Sequence, residues 1–226
     1  MKKVIVIVGP TSSGKTGLSI KLAKAFHAEI INGDSVQVYR GLDIGSAKIK
    51  KEDMQGVKHH LFDVCDPSKT YSVFAFQKDV RKHLENIDFP MIVGGTGLYI
   101  KAALYDYEFK EEKRDTTFEE TYQSYSNEAL YEILLALDPD ITIDLNNRRR
   151  VLRALYLAQS GELRSQKTKK DDLLYDACII YLDLDRTILE QRLIERLDLQ
   201  MKEGFIEEVK SLKDQGIEIN AIGYRE

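Results

Sequence analysis

Gly9-Pro10-Thr11-Ser12-Ser13-Gly14-Lys15-Thr16 satisfies the pattern G-x-x-x-x-G-K-[ST] at every constrained position. That spacing is what an anion requires of a backbone. Glycines let the chain curl so that successive N–H groups point inward, and a helix beginning at the end of the loop adds its positive terminus. Lys15 then reaches the outermost phosphate, and the Thr16 hydroxyl can ligate a magnesium ion. The loop specifies a phosphate ligand and leaves the reaction open.

Other residues could supply the reaction. Asp34 follows a short strand-like run and is well placed either as a general base or magnesium partner, or simply as the cap of a turn. Gln37 can hydrogen-bond an adenine edge through its amide, or can face solvent. Arg192 and Arg196 are four residues apart on one helical face, so both can point at one anion, or pair with Glu190 and Glu195. Arg149, Arg150 and Arg153 form a basic stripe at helical spacing, which by itself reads as a solvated face. His59 and His60 are adjacent and point to opposite sides of any regular element, which assigns them to packing or hydrogen bonding. Cys65 and Cys178 lack a metal-ligand spacing, and Cys178 lies in the apolar run 177–182 as a buried small hydrophobe.

The elements that must position these groups are legible from periodicity. Lys3–Val8 (KVIVIV) is a β-branched apolar run, the mark of a strand buried on both faces of a parallel sheet. The loop follows it, and residues 17–26 then have helical spacing. Strands are expected at 29–31, 90–93 and 177–184. Helices are expected from a Ser72 cap through Leu84, over 98–104, from an Asn127 cap to about Leu137, from Asn147, and from an Asp185 cap through Met201 to Gly204. A further helix ends near Gly216. Alternating strands and helices of this kind predict an α/β domain with a parallel sheet flanked by helices, like a P-loop NTPase. The polar stretch 107–140 reads as a small helical insertion between core segments 1–106 and 141–226.

Composition narrows the classes further. The 226 residues, 43% hydrophobic and 31% charged, describe an ordinary globular chain. No apolar stretch approaches the roughly 18–20 residues that span a bilayer, and Val4–Val8 is too short for a secretory signal, so a cytoplasmic protein without a membrane partner is expected. A formal net charge of −4 argues against a purely electrostatic nucleic-acid binder while leaving a local basic face open.

Several blocks occur in a defined order: GPTSSGKT, DSVQVYRGLDIGSAK (34–48), Val57-Lys58-His59-His60-Leu61 with Asp63, Tyr71-Ser72-Val73 and VGGTGLY (93–99). Asn147–Leu155, Arg192 and Arg196 with Gly204–Val209, and Ala221–Glu226 follow. Together they resemble the tRNA dimethylallyltransferases over nearly the whole chain. The resemblance implies transfer of a dimethylallyl group from dimethylallyl diphosphate to N6 of the adenosine 3′ to the anticodon of tRNA. It implies a diphosphate site made of Gly9, Thr11, Ser12, Ser13, Gly14, Lys15, Thr16 and Arg196, with magnesium on Thr16 and Arg192 a weaker candidate for the same anion. Asp34, Thr16 and Arg196 would be catalytic, Asp34 accepting the N6 proton. Asp34, Ser35, Val36, Gln37 and Thr96 would meet the flipped adenosine or its neighbours, and Arg149, Arg150 and Arg153 the RNA backbone of the anticodon stem-loop. A monomer is expected. Such proteins continue past the Ala-Ile-Gly-Tyr block, so the C-terminal part of the family fold is expected to be missing from this chain. The rival readings are a small-molecule or nucleoside kinase using ATP, and a prenyltransferase acting on free adenylate. A kinase should show a strand-end aspartate, yet Met91-Ile92-Val93 ends in glycines. A nucleotide-gated RNA-binding module is the non-enzymatic alternative, disfavoured by the acidic balance.

Overall fold

The computed structural model describes residues 1–107, 109, 116–166 and 172–217; the Ala221–Glu226 block lies outside them. Contacts divide the chain into two compact units, Met1–Glu111 with Asp171–Glu226, and Glu112–Lys170.

The larger unit is built on a parallel sheet of β1 (Lys3–Val8), β2 (Glu29–Asn32), β3 (His59–His60), β4 (Pro90–Gly94) and β5 (Asp176–Tyr181). Their order is β3-β2-β4-β1-β5, and every pairing is parallel. Strand periodicity decides the two faces. Val4, Val6, Ile31 and Ile92 point to one side, where Phe76, Val80 and Leu84 of α2 (Val73–Asn86) and Tyr99 to Leu104 of α3 (Gly97–Leu104) cover them. Ile7, Ile30 and Met91 point to the other, under Ile20 and Ala23 of α1 (Lys15–Phe26). The apolar runs are therefore continuous because both faces are covered. Ser72 caps α2 as its sequence position implies, its hydroxyl accepting from the Ala75 N–H at 3.1 Å.

Two features of this unit depart from the expectation. β3 has no apolar run and was not expected. It forms because His59 and His60 continue the β2 ladder, with the His60 ring nitrogen 2.7 Å from Glu29. Cys178 is exposed, not buried. β5 pairs only with β1 at the sheet edge, so its side chains, including Ile179 at 47% exposure, are not enclosed among the described residues. The long helix α7 (Arg186–Glu203), capped by Asp185, likewise buries none of its residues among the described ones, and its Leu193 and Leu197 are 38% and 52% exposed. Gly204 separates it from α8 (Phe205–Asp214).

The smaller unit contains α4 (Thr116–Thr121), α5 (Asn127–Leu137) and α6 (Arg148–Gln159). Its core joins Leu130 and Leu134 of α5 to Val151, Ala154, Leu155 and Ala158 of α6. That packing extends the compact unit to residue 170, past the boundary at 140 expected from sequence, because α6 buries its apolar face on α5. Ser126, not Asn127, caps α5, accepting from the Ala129 N–H at 3.2 Å, while the Asn127 amide donates to the Leu145 carbonyl. Arg148 spans the turn before α5, donating to the carbonyls of Tyr122 and Tyr125 at 2.7 Å each.

Leu134 is fully buried, so Leu134→Ala should cost about 2–5 kcal/mol, transfer and cavity terms together. Leu197, at 52% exposure, should tolerate alanine within ~0.5 kcal/mol. Urea unfolding of the two variants measures the difference, and equal losses would contradict the assignment of the core.

Candidate active site

At the carboxyl ends of β1, β2 and β4 the larger unit encloses a cavity of about 290 Å³. Thr11–Thr16, Asp34, Gln37, Ser46 and Arg196 contribute its polar lining. Ile30, Ile49, Phe62 and Val93, with His59, make an apolar region of the same lining. The cavity thus has the two characters that an anionic head and a hydrocarbon tail require.

The phosphate-loop part of that lining is the turn between β1 and α1. The hydroxyls of Ser12 and Ser13 are buried with no hydrogen-bond partner among the described residues. Both residues line the cavity, and a buried hydroxyl without a partner is a group that a bound phosphate would satisfy. Lys15 Nζ donates to the carbonyls of Gly9 at 2.9 Å and Pro10 at 2.7 Å. Burial pulls the Lys15 ammonium below its ordinary value; Asp34 opposes that shift and Arg196 adds to it. Arg196 is likewise lowered by burial and supported by Asp34. Two partly buried cations therefore lie in the field of one carboxylate. Arg192 also approaches the loop: a Cβ on Gly14 would lie 3.9 Å from its guanidinium. Glu190 and Glu195, the alternative partners of these arginines, bond to Arg186 and Gln191.

Asp34 is held on both sides. Its Oδ1 accepts from the backbone N–H of Val36 at 2.8 Å and of Gln37 at 3.3 Å, so it does cap a turn while lining the cavity. Its own N–H donates to Asn32 Oδ1 at 3.0 Å, and the Asn32 amide donates to the Asp34 and Leu61 carbonyls. Asn32 is buried at the end of β2, and sequence reasoning passed over it. An amide closing a buried strand was the available signal. β4 approaches closely here, since a Cβ on Gly94 would fall 2.3 Å from the Gly33 carbonyl group. Within the VGGTG block, Gly94 is required because two backbones meet there.

Gln37 directs its amide nitrogen to the carbonyls of Ser46 at 2.9 Å and Ala47 at 3.4 Å, which fixes the amide plane and commits its donor half. Thr96 bonds to Ser35, accepting from its N–H at 3.2 Å and donating to its hydroxyl at 3.3 Å. Gly9, Ser35, Val36 and Thr96 lie outside the cavity lining; Thr11 to Thr16, Asp34, Gln37 and Arg196 are brought together in it. Arg149 and Arg150 are exposed on α6, and Arg153 shares that helix; all three belong to the smaller unit. Ser46, Ala47, Ile49, His59 and Phe62 carried no recognisable signal for the cavity, because it takes the fold to bring them against the loop. Burial holds His59 below the ordinary histidine value. Among the described residues no three His, Cys, Asp or Glu side chains could hold a metal ion, and no helix is long and apolar enough to cross a membrane.

Comparison with known proteins bears on the fold and the family. The family model described as IPP transferase matches residues 37–226, and that described as isopentenyl transferase matches residues 2–66. The tRNA dimethylallyltransferase of Acholeplasma laidlawii is 53% identical over 226 residues, covering 100% of this chain and 78% of that protein. The solved tRNA delta(2)-isopentenylpyrophosphate transferase of Staphylococcus epidermidis superposes with a TM-score of 0.68 at 38% identity, over 100% of this chain and 79% of that one. A eukaryotic dimethylallyltransferase acting on tRNA gives a TM-score of 0.82 at 32% identity, over 95% of this chain and 56% of that one. With the order of the sequence blocks, the parallel sheet and the phosphate loop all in agreement, the chain belongs to the IPP transferase family, the tRNA dimethylallyltransferases.

Proposed function

We propose that this chain transfers the dimethylallyl group of dimethylallyl diphosphate to N6 of the adenosine on the 3′ side of the anticodon in tRNA. One observation carries the reading: Lys15, Asp34 and Arg196 share a single cavity with an apolar region formed by Ile30, Ile49, Phe62 and Val93. Diphosphate fits against the loop amides and the orphaned Ser12 and Ser13 hydroxyls, with the five-carbon tail against the apolar region.

An exocyclic adenine amine is a weak nucleophile, so the allylic C1–O bond must largely break as the N6–C1 bond forms. The departing diphosphate takes the bonding electron pair. Stabilising that charge is the main electrostatic task, and Lys15, Arg196 and the loop N–H groups are preorganised for it in a partly desolvated site. N6 sheds one proton, and Asp34 accepts it through the carboxylate oxygen not engaged in the turn. The donor set suits magnesium carried by the phosphates, with Thr16 as its protein ligand, since Mg²⁺ typically keeps several waters and needs few protein ligands. When bound, it would supply further positive charge to the leaving group. Gln37, its donor half committed, offers a carbonyl oxygen to an N6–H of adenine. The base must leave its stack to reach the cavity, which costs least in an unpaired loop. Arg149, Arg150 and Arg153 would contact the RNA backbone, with Ser35, Val36 and Thr96 near the neighbouring nucleotides.

Radiolabelled dimethylallyl diphosphate and magnesium, offered with unmodified tRNA and with AMP in parallel, test the reading. Label on tRNA alone is expected; label on AMP alone would move the substrate to free nucleotide, and label on neither would remove the activity. Asp34→Asn should lower the transfer rate by about 10²–10⁴-fold, the range for loss of a general base, while inorganic pyrophosphate still binds. Near-normal turnover would acquit Asp34. Because it is the protonated Lys15 that binds an anion and burial has lowered its pKa, pyrophosphate affinity should fall as pH rises, starting below the range of an ordinary lysine. Lys15→Met should flatten that profile, and an unchanged profile would assign the titration elsewhere. Replacing Arg149, Arg150 and Arg153 by alanine should reduce the salt slope of tRNA binding by about 2–3, near 0.7–0.9 per lost phosphate contact. An unchanged slope would return the stripe to solvent.

A further inference from the structure

Residues 43–47 reach the cavity through Ser46 and Ala47 and are gripped from behind by α7 and α8. Glu208 Oε2 accepts from the backbone N–H of Asp43 at 2.9 Å and of Ile44 at 2.7 Å, and Oε1 accepts from Gly45 at 3.0 Å. One carboxylate thus satisfies three consecutive amides, an anion in a backbone nest. Gln200 donates to the carbonyls of Ile44 at 2.5 Å and Gly45 at 3.0 Å, and Arg196 donates to that of Ser46 at 3.2 Å. Phe205 closes over the turn so tightly that a Cβ on Gly45 would lie 2.5 Å from its ring.

The clamp has a consequence inside the cavity. With amides 43–45 turned outward to Glu208, the next two carbonyls, Ser46 and Ala47, are the acceptors that hold the Gln37 amide. A continuous chain of bonds runs from a carboxylate on α8 to a side chain in the site. A glutamate in the first turn of a helix ordinarily serves that helix's own N-terminus. Here its bonds cross to a segment more than 160 residues earlier in the chain. Charge-assisted bonds of this kind are roughly twice as strong as neutral ones, so the turn should lose its definition when the carboxylate goes.

We propose that Glu208 is a positioning residue that sets the orientation of Gln37 for the incoming adenine while touching neither substrate. The inference rests on the adenine-facing role given to Gln37 above. Glu208→Gln tests it in the full chain, because it keeps the side-chain volume but sets an NH₂ group against a backbone N–H. Three readouts are compared with the wild type: hydrogen exchange at amides 43–45, affinity for inorganic pyrophosphate, and affinity for an anticodon stem-loop RNA. Exchange at those amides should rise, RNA binding should weaken about ten-fold, the size of a lost interaction worth 1.4 kcal/mol, and pyrophosphate binding should stay within about two-fold. Adding Gln37→Ala to E208Q should then cost RNA affinity little more, since two residues acting through one contact are not additive. Unchanged exchange, unchanged RNA affinity, fully additive losses, or pyrophosphate affinity falling in step would each overturn the proposal. Absence of prenyl transfer by the wild-type chain would instead sink the functional reading, and these binding and exchange arms would still decide the clamp.

Discussion

Two partly buried cations facing one carboxylate are the constraint around which the larger unit is organised. Lys15 and Arg196 are both lowered by desolvation and both supported by Asp34. Taking such charges out of water is unfavourable unless they find partners, and here the surrounding groups supply them. Gly9 and Pro10 carbonyls receive Lys15, the Ser46 carbonyl receives Arg196, and two backbone amides receive Asp34. An arriving diphosphate would exchange these provisional partners for its own oxygens. A site built in this way favours an anion before any substrate arrives, which is the preorganisation that leaving-group stabilisation needs.

The sheet explains why these charges meet. β1 and β4 are neighbours in the sheet, and β2 pairs with β4, so the turns that follow all three strands open at one edge. α7 then carries Arg196 back to that edge, with Gln200 four residues on securing the turn at Ile44 and Gly45. Gly94 makes room where β4 meets Gly33.

Much of this was legible in the residues. The β-branched run of β1, the Ser72 cap, the phosphate loop and the Asp185 cap obey local rules, and local rules can be read one segment at a time. β3 could not be read in this way, because two histidines become a strand only when β2 offers them a ladder. The burial of Cys178 was misjudged for a related reason: an apolar run signals a strand, but whether that strand is central or at an edge depends on the rest of the sheet. In the site, Lys15, Asp34 and Arg196 were accessible through spacing and resemblance. Phe62 and Glu208 were not, since each meets the site through contacts that are distant along the chain, whereas Asn32 bonds to Asp34 only two residues on and carried a local signal that was passed over.

The central claim is that one cavity holds the diphosphate against the loop and the prenyl tail against Ile49, Phe62 and Val93. A crystal structure with the inert thiolo analogue of dimethylallyl diphosphate, in which sulfur replaces the bridging allylic oxygen, tests it most directly. The expected result is diphosphate density over the amides of Ser12 to Thr16, within bonding distance of Lys15 and Arg196, with the tail on those apolar side chains and C1 facing Asp34. Density with the tail directed away from that region, or with the diphosphate bound elsewhere than the loop, would contradict the account.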